Sequence, residues 1–134
     1  MSPELVPPDA VVVRFPPVTH ERVERRATLA FVASGSYGLS VFADCARPDE
    51  GEDGLFRRLI GAAELEGLDV AGNRRYCVCT AADLFKHGFT FEKDGYTGEA
   101  AVHYSVNVGS GNSQLRPISV CKFLAEFADR RLPS

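Results

Sequence analysis

From residue 95 onward the chain settles into strict alternation. In GYTGEAAVHYSVNVG (95–109), a strand sends Ala100, Val102, Tyr104, Val106 and Val108 to one face and Glu99, Ala101, His103, Ser105 and Asn107 to the other. FTFE at 89–92 alternates in the same way. Asp94-Gly95 between the two runs is a hairpin signal, because both residue types tolerate the positive φ of a tight turn. The pattern predicts an antiparallel hairpin with strands near 89–93 and 99–108, and Phe89, Phe91, Val102, Tyr104 and Val106 facing the core. Three shorter runs also suit strands: AVVVRF (10–15), stopped by Pro16-Pro17, YGLSVFA (37–43) with Leu39 and Val41 on one face, and RYCVC (75–79).

Between these runs the spacing turns helical. Thr19 offers an N-cap for a helix over 20–33, ending at Gly35, although ATLAFVA (27–33) within it also suits a strand. Leu55, Leu59, Ile60 and Ala63 recur at helical spacing and predict a helix over 55–65, after an acidic loop DCARPDEGEDG at 44–54. Thr80 and Asp83 match a capping box for a brief helix through His87, with Gly88 at the C′ position. Pro117 suits the first turn of a last helix, whose Val120, Phe123, Leu124 and Phe127 form a core-facing stripe. The expected class is α+β. One domain spans 1–134, with residues 1–9 as a Pro-rich lead-in. A mixed or antiparallel sheet carrying the C-terminal hairpin is packed by two or three helices.

Composition narrows the function more than the fold. A net charge of -3 over 134 residues, with no dense basic patch, argues against binding a nucleic-acid backbone. The basic run HERVERR (20–26) is broken by two glutamates and suits a solvated helix face. No stretch approaches the roughly 20 apolar residues of a membrane span, and MSPELVPPDA lacks the features of a secretory signal, so the expected compartment is the cytoplasm. Cys45, Cys77, Cys79 and Cys121 are then expected as free thiols, with Cys77 and Cys79 on one strand face. A single C-x-C pair without a second pair or a nearby histidine is a poor zinc site, so neither a metal nor a cofactor is expected.

The polar row of the 99–108 strand is the richest collection of reactive side chain types. It runs into the flexible loop GSGNSQLR (109–116), whose glycines permit close backbone approach to a ligand. Glu99 and His103 lie about 13 Å apart along an extended strand, so they can line one cleft but cannot form a direct dyad. Tyr37, His103, Ser105, Asn107 and Asn112 are the expected binding residues. The function expected from them is a small binding or interaction domain that recognises a protein or a small anionic ligand through the 99–114 surface. SGSYG (34–38) is neither a P-loop nor a dinucleotide fingerprint, because no G-K-[ST] follows and the glycine spacing differs.

Arg14 is a cation inside an apolar strand, and its planar fork suits phosphate or carboxylate. The order Arg14, Ser36, Glu99 resembles the arginine–serine–glutamate layout of ADP-ribosyltransferase-like domains. The resemblance implies an alternative in which Arg14 holds a nicotinamide dinucleotide, Ser36 orients it and Glu99 stabilises the ribosyl cation. The chain departs from that pattern in lacking a Ser-Thr-Ser triplet and an E-x-E or Q-x-E around Glu99.

Overall fold

β-Branched and alternating runs become strands, and runs with apolar residues three and four apart become helices. In the computed structural model these elements are described over residues 6–15, 20–34, 37–65, 67, 75–93, 102–108 and 117–131. Their order is β1 (Val11–Arg14), α1 (His20–Ser34), β2 (Gly38–Asp44), α2 (Glu52–Leu65), β3 (Arg75–Thr80), α3 (Ala81–Phe85), β4 (Thr90–Lys93), β5 (His103–Asn107), α4 (Pro117–Ala125) and β6 (Ala128–Arg131). The strands form one six-stranded sheet in the order β4-β5-β2-β1-β3-β6. Every neighbouring pair is antiparallel. The class is therefore α+β with an antiparallel sheet.

β4 and β5 pair with Phe91 opposite Val106 and Glu92 opposite Ser105. The Asp94-Gly95 turn and the expected strand residues 99–101 lie outside the described residues. Val102 is buried, but it departs from the expected face. It packs in a cluster with Val13, Phe42 and Leu55, whereas Tyr104 and Val106 join Val12, Leu39 and Phe123 on the other side of the sheet. Val102 precedes the first strand residue, so the pleat of β5 does not govern its direction.

Residues 20–34 are helical throughout, which decides the ambiguity at 27–33. Val23 and Ala27, four residues apart, are fully buried, while the charged Glu21, Arg22, Arg25 and Arg26 are exposed. α2 starts at Glu52, three residues before its first apolar position, with Glu52 and Asp53 in its first turn where the helix dipole favours negative charge. Leu55, Phe56, Leu59, Ala62 and Ala63 form its buried stripe. The capping box of α3 is present in both directions, from Asp83 N–H to the Thr80 hydroxyl and from Thr80 N–H to the Asp83 carboxylate. The bond from the Thr80 backbone is the main reason the Asp83 pKa is lowered. Gly88 then takes φ 80°, a conformation that glycine adopts without strain.

The last helix is shorter than its apolar stripe suggests. It ends at Ala125, and the chain extends into β6, which pairs with β3 and was not expected from the sequence. Phe127 remains apolar cover through its ring contact with Phe123, at 4.9 Å between centroids. Glu126, just past the helix, accepts from His87 Nε2 at 2.7 Å and pairs with Lys86 at 2.9 Å, tying the end of α4 to the turn after α3. No described helix is long and apolar enough to cross a membrane.

Candidate functional site

The sheet has two faces, and alternation assigns each residue to one of them. Val12, Leu39, Val41, Ala43, Cys79, Tyr104, Val106 and Val108 form one cluster with Val23 and Ala27 of α1 and Val120 and Phe123 of α4. On the other face α2 covers Val13, Phe15, Phe42 and Tyr76. This second cluster reaches only part of the way across the sheet. Towards the β4 edge the same face carries Gly38 and Ser40 of β2, His103, Ser105 and Asn107 of β5, and Thr90 and Glu92 of β4. Ser40, Thr90 and Glu92 are exposed, and the three β5 residues are half-buried.

His103 sits at the seam between the apolar and polar parts of this face. Its ring stacks on Phe42, its cross-strand partner, with centroids 4.7 Å apart and planes 10° from parallel. Its Nε2 is 2.5 Å from the Ser40 hydroxyl oxygen, a diagonal contact between β5 and β2. Ser105 lies directly opposite Ser40, and Asn107 opposite Gly38. A Cβ added to Gly38 would meet the Ser105 Cβ at 3.1 Å, so the glycine allows Ser105 to pack closely against β2. His103, Ser105 and Asn107 are thus brought together on one surface, as alternation predicts.

Ser40 was not singled out by the sequence. Alternation in YGLSVFA does put it on the face opposite Leu39 and Val41. Its histidine partner, however, is 63 residues away, and only strand pairing brings the two together.

The remaining candidates lie elsewhere or outside the described residues. Tyr37 stacks on Phe31 of α1 with centroids 4.4 Å apart and packs against the α1/α4 cluster, on the side away from His103. Ser36, Glu99 and Asn112 lie outside the described residues, as does the 109–116 loop. Arg14 is 4% exposed and also on the α1/α4 side. Its Nη1 donates to the Ser40 carbonyl at 2.7 Å, and its guanidinium carbon lies 5.8 Å from the centre of the Phe123 ring. Burial, reinforced by nearby Arg26 and opposed by Cys77, pushes the Arg14 pKa down to about 10. The Arg14 fork is therefore directed away from the His103 row.

Two acids of the 44–54 loop are tied to α2. Arg58 of α2 donates to Glu50 through Nε and Nη2, at 3.1 and 2.8 Å, to Asp44 through Nη1, and to the Cys45 carbonyl at 3.1 Å. These bonds hold the Glu50 carboxyl at a pKa of about 2, with its hydrogen bonds to Arg58 the largest cause. Arg58 thus anchors the loop through Asp44 and Glu50, while Asp49, Glu52 and Asp53 stay exposed.

All four cysteines are free thiols. Cys77 and Cys79 are buried and Cys121 is exposed. Burial pushes the Cys79 thiol well above its ordinary range, with Asp83 and Glu126 adding to the effect. Among the described residues no group of three or more His, Cys, Asp or Glu side chains is arranged to hold a metal ion.

No protein-family model matches this sequence, and neither a curated protein nor a solved structure matches it.

Proposed function

We propose that the protein is a binding domain whose recognition surface is the polar half of the α2-side face, centred on His103, Ser105 and Asn107 and extended by Ser40 and Glu92. The observation that carries this reading is the half-burial of His103, Ser105 and Asn107 beside exposed Ser40 and Glu92, in a row seated on a rigid antiparallel sheet. A rigid strand fixes hydrogen-bonding groups in place and so lowers the ordering cost of binding. Of the two ligand classes expected from the sequence, a protein segment suits this row better than a small anion. Among the described residues of β2, β4 and β5 that face this side, none is Lys or Arg, and Glu92 would repel an anion.

The test is capture of a binding partner by wild type and by a His103→Ala, Asn107→Ala double variant of equal melting temperature. The double variant is expected to lose the partner. Equal capture by both proteins would move the recognition surface elsewhere and leave the row as the wet side of the sheet.

A further inference from the structure

The geometry points to a catalytic function on the same face: Ser40 as a nucleophile, with His103 as its base, cleaving an uncharged carboxylic ester. The inference rests on reading this face as the ligand-binding surface. A serine hydroxyl is a weak nucleophile until a base within hydrogen-bond reach takes its proton, and that base must itself be held in orientation. Both conditions are met. Nε2 of His103 is 2.5 Å from the Ser40 hydroxyl. The Phe42 ring, 4.7 Å from the imidazole and nearly parallel to it, fixes the tilt of the base.

Ser40 is exposed, so an incoming carbonyl carbon can reach it. Register sets its surroundings. His103 lies on one diagonal of Ser40, Asn107 on the other, and Ser105 directly opposite. Gly38 lets the Ser105 side chain lie close against β2 beside Ser40, since a Cβ there would meet the Ser105 Cβ at 3.1 Å. Ser105 and Asn107 are the side chains nearest in register to donate to an oxyanion formed at Ser40. The substrate is expected to be uncharged, because the described residues here hold no Lys or Arg to pair with an anion and Glu92 disfavours one.

The chemistry is that of acyl transfer to water. Ser40 Oγ bonds to the ester carbon while its proton passes to His103 Nε2, and the carbonyl pair moves to oxygen. Collapse of that adduct breaks the bond to the alkoxy oxygen, which leaves as the alcohol with the proton from His103. Water then attacks the acyl group and gives a proton to His103. Expulsion of Ser40 Oγ, which regains that proton, releases the carboxylic acid.

The first measurement uses the wild-type protein: incubation with an alkyl fluorophosphonate, then peptide mass spectrometry. A phosphonyl adduct on Ser40 is expected. The second is hydrolysis of p-nitrophenyl acetate by wild type, Ser40→Ala, His103→Gln and a distant control, Thr28→Ala on the exposed side of α1. The first two variants are expected to lose roughly 100-fold or more, the scale of general-base catalysis, and the control to match wild type. Absence of the Ser40 adduct, or undiminished hydrolysis by Ser40→Ala, overturns the catalytic assignment. Partner capture by Ser40→Ala separates the two ideas. If the Ser40 adduct is absent while capture still depends on His103 and Asn107, the catalytic role fails and the recognition surface stands.

Discussion

The two faces of this sheet are covered unequally. On the α1/α4 side, apolar residues extend from Phe91 of β4 through Val106, Leu39 and Val12 to Cys79 of β3, with the buried Arg14 among them. On the α2 side, the apolar run of Tyr76, Val13 and Phe42 gives way to Ser40, Ser105 and Glu92. The dimensions explain the difference. A helix with its side chains is about 10–12 Å across, and strands lie about 4.8 Å apart, so one helix covers two to three strands. Among the described residues α1 and α4, with Ala81 and Leu84 of α3, pack on the first face, and α2 is the helix that packs on the second. The strands beyond its reach must present groups that water or a partner can satisfy. His103 marks the boundary, stacked on the last aromatic ring of the covered part and bonded to the first hydroxyl of the open part.

The largest expected effect comes from breaking the closed face. Phe123 is fully buried and meets Phe89, Phe127 and Arg14. Phe123→Ala should lower unfolding free energy by about 3–5 kcal/mol through lost burial and an incompletely collapsed cavity, measured by urea denaturation. A loss below about 1 kcal/mol would mean that α4 does not seal this side.

A smaller and sharper contrast lies within β5 itself. Val106 and Asn107 are neighbours in sequence but point to opposite faces, the first fully buried and the second half-buried. Val106→Ala should cost about 1–3 kcal/mol, and Asn107→Ala less than about 1 kcal/mol, in the same denaturation experiment. Equal costs would show that the polar face is as tightly packed as the apolar one.

The smallest effect concerns the acid dependence of the anchor beneath the α2 side. Arg58 holds the folded Glu50 carboxyl at about 2, below its ordinary value of 4.5. A depressed carboxyl pKa stabilises the fold above the unfolded value, and this contribution is lost as pH falls from about 4.5 towards 2. Glu50→Gln should therefore flatten the stability profile in that window. Parallel acid-unfolding curves for variant and wild type would show that the Arg58 network contributes nothing measurable there.

Much of the secondary structure was legible because its causes are local. The capping pair Thr80 and Asp83, the positive-φ Gly88, the proline at the start of α4 and the apolar stripe of α2 each act within one or two turns. β6 was missed for a corresponding reason. ADRR has little strand propensity, and the segment is extended because β3 offers it an edge. The Arg58 anchor was missed because its partners, Asp44 and Glu50, look like ordinary loop acids until α2 folds back over them.

The polar row divides in the same way. Alternation alone determined that His103, Ser105 and Asn107 share one face and that Tyr104 and Val106 share the other, since the strand period is two wherever the strand lies. Alternation also put Ser40 opposite Leu39 and Val41. It did not determine which strands would lie side by side, because that choice follows from burying the apolar faces of the whole chain together. Only the tertiary structure brought β2 against β5, set Ser40 diagonal to His103 and laid that histidine on Phe42. It also directed Arg14 to the opposite side of the sheet, where its fork reaches the Ser40 carbonyl under α4. Local periodicity chose the face of each residue, and long-range burial chose its neighbours.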